Sequence, residues 1–326
     1  MNSTRVVVHQ TGDPEVLKLE QYEAPSPQPG EVRIRQTAVG LNYIDTYYRS
    51  GLYPPPSLPF TPGSEAAGVI DAVGADVKDL QVGTRVAYAG GGLGAYCELR
   101  CIPAAHVVAL PSEVSDAQAA ASLLKGLTAE YLLRRTFEVQ PGQTILVHAA
   151  AGGVGSLLCQ WASHLGARVI GTVGSAEKAE VARENGAHEV ILYRSEQTSR
   201  RVRELTGGAG VPVVYDAVGK DTFLDSLDCL SPRGLMVSYG QASGKVPALD
   251  IGLLSHKGSL YLSRPTLFTY IQSREELLLA SAALFEVMRA GVLQVKIGQR
   301  YGLAQVAQAH QDLEGRRTVG SSLLIP

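Results

Sequence analysis

Cysteine is scarce in this chain: four in 326 residues, at Cys97, Cys101, Cys159 and Cys229. They form neither a C-x-x-C pair nor a cluster with histidines at metal-ligand spacing, so buried or free thiols are expected and a metal site is not. Long apolar runs are missing as well. None approaches the roughly 20 residues a spanning helix needs, and the polar start Met1-Asn2-Ser3-Thr4-Arg5 has no signal-peptide core. The expected location is the cytoplasm, with no disulfides and no membrane partner, and the sequon Asn2-Ser3-Thr4 is then chance. Positive charge is not in excess: Lys+Arg 29 against Asp+Glu 31 gives a net charge of −2, which offers no overall basic field for nucleic acid. Internal repeats and low-complexity segments are also lacking. At 45% hydrophobic and 18% charged residues, the chain can bury a core and is long enough for about two domains.

The first 120 or so residues are rich in Pro, Gly and β-branched runs. Strands are expected at Arg5 to His9, Glu31 to Ala38, Ala67 to Val73, Arg85 to Tyr88, Ala95 to Leu99 and His106 to Leu110, a pattern of a β-barrel-like domain. Near Ser115 the texture changes to helix formers, with Ser115 as the cap. From Thr144 strands and helices alternate. Strands ending at His148, Thr172 and Tyr193, then Val211 to Ala217, Gly234 to Tyr239 and Ser259 to Ser263, make a complete six-stranded doubly wound sheet. A helix around Arg274 to Ala290 and a last strand, Ser321 to Ile325, are assigned back to the first domain.

The junction after the first of these strands carries the strongest chemical signal. Ile145-Leu146-Val147-His148-Ala149 runs into Ala150-Ala151-Gly152-Gly153-Val154-Gly155 and then a helix-like stretch. Small residues at 150, 152 and 155 suit a tight turn, backbone approach to a pyrophosphate and close helix–strand packing, with Ala150 replacing the first glycine of G-x-G-x-x-G. Roughly 20 residues on, where an NAD site places a ribose-binding acid, the sequence reads Val173-Gly174-Ser175-Ala176-Glu177-Lys178. A carboxylate would repel a 2′-phosphate, whereas an ammonium, a hydroxyl and helix-start N–H groups would hold it, so NADPH is the expected cofactor.

Ligands of such sheets bind beyond the carboxyl ends of the strands. Tyr193 can stack on the adenine side, donate to the 2′-phosphate, or simply be a strand tyrosine. Tyr239 and Gly240 fall near the nicotinamide-ribose end, and Asp216 is either a ligand or a helix cap. His148, inside a parallel strand, reads as a satisfied buried histidine.

Taken together, Val39-Gly40-Leu41-Asn42-Tyr43-Ile44-Asp45, Gly51-Leu52-Tyr53-Pro54, Pro62-Gly63-Ser64-Glu65-Ala66-Ala67-Gly68, Lys125-Gly126-Leu127-Thr128-Ala129 and the glycine loop resemble the zinc-independent medium-chain dehydrogenase/reductases, specifically NADPH:quinone oxidoreductases of the zeta-crystallin type. The resemblance covers essentially the whole chain. It implies an α/β protein with a GroES-like β-barrel catalytic domain (1–124 and 266–326), a Rossmann NADPH-binding domain (125–265), a cleft between them, and a homodimer. It implies cofactor contacts at Asn42, Gly174, Lys178, Tyr193, Tyr239, Arg264 and Arg316, which join Gly152, Gly153, Val154, Gly155, Ser175 and Gly240 from the loop and strand-end reading, and Thr128, as the candidate cofactor-binding residues. Arg264 and Arg316 are the candidates that reach phosphates, although a solvated pair Arg316-Arg317 is an equally ordinary reading.

Where zinc-dependent members carry a catalytic Cys and the His of Gly-His-Glu, this chain has Asn42 and Ser64, while Glu65 remains. A neutral amide and a hydroxyl do not replace thiolate and imidazole, so no metal is expected, and transfer of hydride, or of single electrons, from NADPH to an already electrophilic quinone is. Asn42, Tyr47 and Asp45 are the candidate catalytic residues. Asn42 offers a hydrogen bond to ribose or to the acceptor oxygen, or is a turn-forming asparagine. Tyr43, Tyr47, Tyr48 and Tyr53 offer an aromatic wall or a hydroxyl for developing charge, or are ordinary core and surface tyrosines, and Asp45 and Glu65 are acids for hydrogen bonding. Reduction of an enone or alkenal C=C bond is the alternative reaction, and a structural or RNA-binding crystallin-like role is the non-enzymatic alternative.

Overall fold

The computed structural model, which describes residues 1–326, divides into two units. One comprises Met1–Leu127, Ile271–Arg289 and Val295–Pro326; the other comprises Thr128–Tyr270 and Ala290–Gln294. The stretch Ala290–Gln294 thus groups with the second unit, although it lies within the segment the sequence assigns to the first.

The first unit opens with β1 (Asn2–Val8) and β2 (Leu17–Glu23), an antiparallel hairpin that pairs Asn2 with Glu23. Then come β3 (Glu31–Leu41), α1 (Tyr43–Ser50), β4 (Glu65–Val73), β5 (Arg85–Ala89), β6 (Leu99–Pro103), β7 (Val107–Ala109) and α2 (Asp116–Tyr131). In β3, Val32 and Ile34 are fully buried while Arg35 faces solvent, the period-2 alternation of a sheet with one wet face. β4 and β6 both pair antiparallel with it. Ser115 caps α2 reciprocally: Gln118 N donates to Ser115 Oγ (3.2 Å) and Ser115 N to Gln118 Oε1 (3.0 Å).

The expected strand at Ala95 to Leu99 is displaced to β6. Gly94 turns the chain at φ +132°, and the carbonyls of Gly63 and Pro62 take the amides of Ala95 and Tyr96 that a ladder would use. The hairpin strand β2 is absent from the sequence reading because only its Leu17 is buried, so the rest carries no apolar alternation.

The second unit holds β8 (Thr144–Val147), α3 (Gly153–His164), β9 (Arg168–Val173), α4 (Ala176–Glu184), β10 (Glu189–Leu192), α5 (Thr198–Leu205), β11 (Val211–Asp216), α6 (Phe223–Cys229), β12 (Leu230–Ser238), α7 (Gly252–His256), β13 (Tyr261–Ser263) and α8 (Leu267–Tyr270). Its six strands are parallel in the order β10-β9-β8-β11-β12-β13, the doubly wound arrangement with its reversal between β8 and β11. Leu146, Ile170, Ile191, Val214, Leu227 and Met236 form its core.

The chain then supplies α9 (Arg274–Arg289), β14 (Ile297–Gly302), α10 (Val306–Glu314) and β15 (Ser321–Ile325) to the first unit. β15 lies antiparallel to β3, with Ser322 opposite Leu41, and parallel to β14. β14, with no fully buried residue, and α10 are additions to the sequence reading. No helix is long and apolar enough to cross a membrane.

Candidate active site

In the second unit the phosphate loop is built by steric necessity. Ala149 adopts φ +52° and makes the tight turn, and Gly152 N closes it on Ala149 O at 2.8 Å. The left-handed residue of the turn is Ala149, one position before the Ala150 that replaces the first glycine. A Cβ on Gly155 would lie 2.2 Å from Ala149 O, and one on Gly171 of β9 would lie 2.7 Å from Ala150 Cβ. Only glycine lets α3 approach its strand this closely. Gly152 caps α3 and Gly153, Val154 and Gly155 form its first turn, where backbone N–H groups lack intrahelical acceptors and aim outward as anion donors. This cradle fits a dinucleotide pyrophosphate.

At the end of β9 the ribose acid is absent and Gly174-Ser175 follows. Ser175 caps α4, its hydroxyl accepting from Lys178 N at 3.4 Å, so serine and lysine share one helix start. Glu177 is exposed, and the Ser175 hydroxyl together with its own backbone N–H holds its carboxyl below the usual range. Tyr193 stands over Gly174: a Cβ there would sit 2.6 Å from the phenol oxygen. The structure thus joins Gly174 with Tyr193 and Ser175 with Lys178.

Beyond the other strands the roles are more structural. Fully buried Asp216 accepts from Val218 N (2.7 Å) and Gly219 N (3.1 Å) on one oxygen, and from the hydroxyls of Thr222 (2.7 Å) and Ser226 (3.1 Å) on the other. Four donors leave it no ligand role. Ser226, donating to Asp216, accepts from His148 Nε2 at 2.9 Å, while Nδ1 meets Thr172 Oγ1 at 2.9 Å, and burial lowers the ring's pKa. His148 is the satisfied core histidine. Tyr239 N donates to Asp216 O (2.9 Å). Gly240 is glycine because a Cβ would lie 2.5 Å from Ala217 O, a packing reason independent of any ligand. Arg264 is exposed and donates to Ser238 O at 2.8 Å.

In the first unit Asn42 joins β3 to α1. Its backbone N–H donates to Asp45 Oδ2 (2.9 Å), while its side-chain Nδ2 donates to Glu65 Oε2 (2.8 Å). Glu65, fully buried at the start of β4, also accepts from Lys125 Nζ (3.3 Å) and Leu124 N (2.7 Å). Asp45 is fully buried too, and burial pushes its carboxyl up to about 7 against the pull of Asn42 N, the Tyr96 hydroxyl and Lys125. Tyr96 Oη lies 3.0 Å from Asp45 Oδ2 and 3.0 Å from His310 Nε2, and burial, with Arg49 nearby, lowers His310 to about 3.

Tyr47 packs its ring 5.1 Å from Tyr53 and 6.2 Å from Tyr43, and Tyr48 lies 5.7 Å from Tyr53, so the four tyrosines do form one aromatic cluster. Tyr43 donates its hydroxyl to Leu313 O. Thr128 is buried in α2, and Arg316 is exposed just after α10 at φ +58°. Sequence reasoning missed Lys125, Tyr96 and His310 as members of this network. Only Lys125 leaves a local trace, a lysine inside the apolar helical run Ala119 to Leu127.

Residues 28–112 match the alcohol dehydrogenase GroES-like domain family, and residues 153–277 match the zinc-binding dehydrogenase family. The chain is 54% identical to the quinone oxidoreductase of Pseudomonas aeruginosa, covering 97% of each, and 52% identical to quinone oxidoreductase 1 of Escherichia coli, covering 99% of this chain and 100% of that one. The chain belongs to the quinone oxidoreductases among the zinc-independent medium-chain dehydrogenase/reductases. Another relative, the 2-haloacrylate reductase of a Burkholderia species, is 44% identical over 98% of each. The crystal structure of Escherichia coli quinone oxidoreductase complexed with NADPH superposes with a TM-score of 0.98 at 52% identity, over 99% of this chain and 100% of that one.

Membership in the quinone oxidoreductases agrees with the donor chemistry at Asn42 and Ser64. The Glu65 carboxylate is engaged by three N–H donors, and no group of three or more His, Cys, Asp or Glu side chains is placed to hold a metal ion. All four cysteines are free thiols, three of them buried.

Proposed function

We propose that this protein is an NADPH-dependent quinone reductase that works without metal. The observation carrying this reading is full-length similarity to an NADPH-bound quinone oxidoreductase, joined to a β9 end that offers Gly174, Ser175 and Lys178 in place of an acid. Bound NADPH supplies hydride, and a quinone accepts it without Lewis-acid activation because its carbonyls are already electrophilic. The first-turn amides of α3 hold the pyrophosphate. Ser175, Lys178 and Tyr193 hold the 2′-phosphate, with Arg264 and Arg316 as further phosphate contacts. Tyr239, Thr128 and the Asn42 side chain contact the nicotinamide half, and the cluster around Tyr47 offers flat aromatic surface to the quinone ring. Asp45, whose carboxyl is held near neutrality, tunes hydrogen bonding around Asn42.

NADPH oxidation by purified protein with 1,4-benzoquinone tests this directly. Turnover with NADPH well above that with NADH is expected, and equal turnover would overturn the cofactor assignment. The haloacrylate-reducing relative favours a second reading, reduction of an activated C=C bond. Competition between benzoquinone and 2-chloroacrylate separates the two. Two copies are further proposed to pair along β13, an edge strand whose Tyr261 (63%) and Leu262 (40%) are exposed. A monomer in sedimentation analysis would refute that pairing. The proposed location is the cytoplasm.

A further inference from the structure

The network behind Asn42 determines which end of its amide a ligand meets. Both side-chain hydrogens of Asn42 face acceptors, Glu65 Oε2 at 2.8 Å and Gly40 O at 3.4 Å. Neither acceptor can donate, because Gly40 contributes a carbonyl and Glu65 is a carboxylate that already receives Lys125 Nζ and Leu124 N. The amide is therefore oriented with nitrogen inward and carbonyl oxygen outward.

What keeps Glu65 an acceptor is Lys125. The carboxylate is fully buried and the lysine side chain 6% exposed, so each charge depends on the other. Without Lys125 the buried carboxylate would lose the cationic partner that holds it in place 3.3 Å away, a costly state for a charge at that depth. Asn42 would then lose the fixed acceptor that holds its NH₂ group inward at 2.8 Å, and its amide would be free to turn over. The approach of Glu65 is also fixed sterically, since a Cβ on Gly40 would lie 2.3 Å from Oε2.

We infer that Lys125 and Glu65 are positioning residues that lock the Asn42 carbonyl toward the ligand, so that Asn42 recognises a hydroxyl of the nicotinamide ribose and not the carbonyl oxygen of the quinone. A carbonyl acceptor attracts a hydroxyl donor and repels a second carbonyl or a developing oxyanion. Asn42 accordingly contributes to NADPH affinity and not to stabilisation of reduced quinone. The inference rests on the proposed NADPH-dependent quinone reduction.

The test is fluorescence titration of NADPH onto wild type, Lys125→Met, Lys125→Arg, Asn42→Ala and the Lys125→Met/Asn42→Ala double variant, with adenosine 2′,5′-bisphosphate as a probe of the adenine side alone. Lys125→Met is expected to raise the NADPH dissociation constant about tenfold, the size of one hydrogen bond, and Lys125→Arg to restore it. Binding of the bisphosphate stays within twofold of wild type, as does the quinone KM at saturating NADPH. In the double variant Lys125→Met adds nothing to Asn42→Ala, because it acts through that amide. Should Lys125→Met be insoluble, Lys125→Gln, which keeps a donor without the charge, takes its place with the same expectations. An unchanged NADPH constant, a rise confined to the quinone KM, equal losses for NADPH and bisphosphate, or additivity in the double variant would each overturn the inference. Wild type that fails to bind NADPH or to reduce quinone would instead overturn the functional reading beneath it.

Discussion

Two glycine-to-alanine changes, Gly155→Ala and Gly174→Ala, separate what the fold requires from what the cofactor requires. Helix propensity alone favours Gly155→Ala by about 1 kcal/mol, since the position lies in the first turn of α3. The structure opposes it. The new Cβ would lie 2.2 Å from Ala149 O and 2.9 Å from Ala149 C, far inside the roughly 3.3–3.6 Å at which carbon and carbonyl oxygen meet. Both obstructing atoms are backbone in a turn already held by the Gly152 N to Ala149 O bond, so no rotamer relieves the overlap. Overpacking of this kind costs about 1–3 kcal/mol or more beyond the propensity gain, which lowers the thermal midpoint by roughly 2–12 °C. At Gly174 the obstruction is different in kind: the Tyr193 hydroxyl at 2.6 Å is the far end of an exposed side chain and can swing away. Gly174→Ala should leave the midpoint nearly unchanged while weakening NADPH binding and sparing NADH. The assay is a thermal melt without nucleotide, paired with fluorescence titration of both nucleotides. A Gly155→Ala protein more stable than wild type, or a Gly174→Ala protein that loses both nucleotides equally, would refute the steric reasoning.

Lys178→Ala should reduce the preference for NADPH over NADH by roughly 10- to 100-fold, the worth of a hydrogen bond to a charged group, with NADH kinetics unchanged. Steady-state kcat/KM for the two nucleotides reads it out, and an unaltered ratio places the 2′-phosphate elsewhere. Asp45→Asn should change the pH dependence of stability. The wild-type carboxyl titrates near 3.8 unfolded and about 7 folded, so the folded state binds more protons between these values and wild type loses stability as pH rises through that window. The asparagine variant lacks this loss, and its melting temperature relative to wild type should climb from pH 4 to pH 7; a constant difference would contradict the burial argument. Asp216→Asn replaces two acceptor lone-pair sites by donors that face the Thr222 and Ser226 hydroxyls or the Val218 and Gly219 amides, and should destabilise by about 2–4 kcal/mol in chemical denaturation. A near-neutral result would reopen a ligand role for Asp216.

The dinucleotide half of the molecule was legible because its signals are local. A buried parallel strand, a glycine-rich turn and a helix occupy adjacent residues, and the missing acid sits one strand further on, so spacing alone reports the chemistry. The tyrosine cluster was legible for the same reason, since Tyr43 and Tyr47 lie one helical turn apart on α1. The network behind Asn42 was not. Lys125 meets Glu65 across 60 residues of chain, and Tyr96 meets Asp45 across 51 and His310 across 214. Nothing in the residue types of those segments announces the pairing. The misplaced strand near Ala95 failed differently: its alternation was real, but the carbonyls of Pro62 and Gly63 compete for its amides, and a competition among backbone groups leaves no mark on side-chain pattern.

The zinc-independent character of this family has a structural counterpart around Glu65. Removing thiolate and imidazole ligands is visible directly as Asn42 and Ser64, yet it leaves Glu65 as a fully buried carboxylate whose charge must still be met. An unpaired carboxylate at that depth would cost several kcal/mol or take up a proton. Lys125 meets the charge at 3.3 Å, and the orientation proposed for the Asn42 amide depends on that pairing. The neutral side chains at Asn42 and Ser64 and the acceptor orientation proposed for Asn42 thus depend on the same buried carboxylate. A lysine set in an apolar helix opposite a buried glutamate is the feature through which the two are linked.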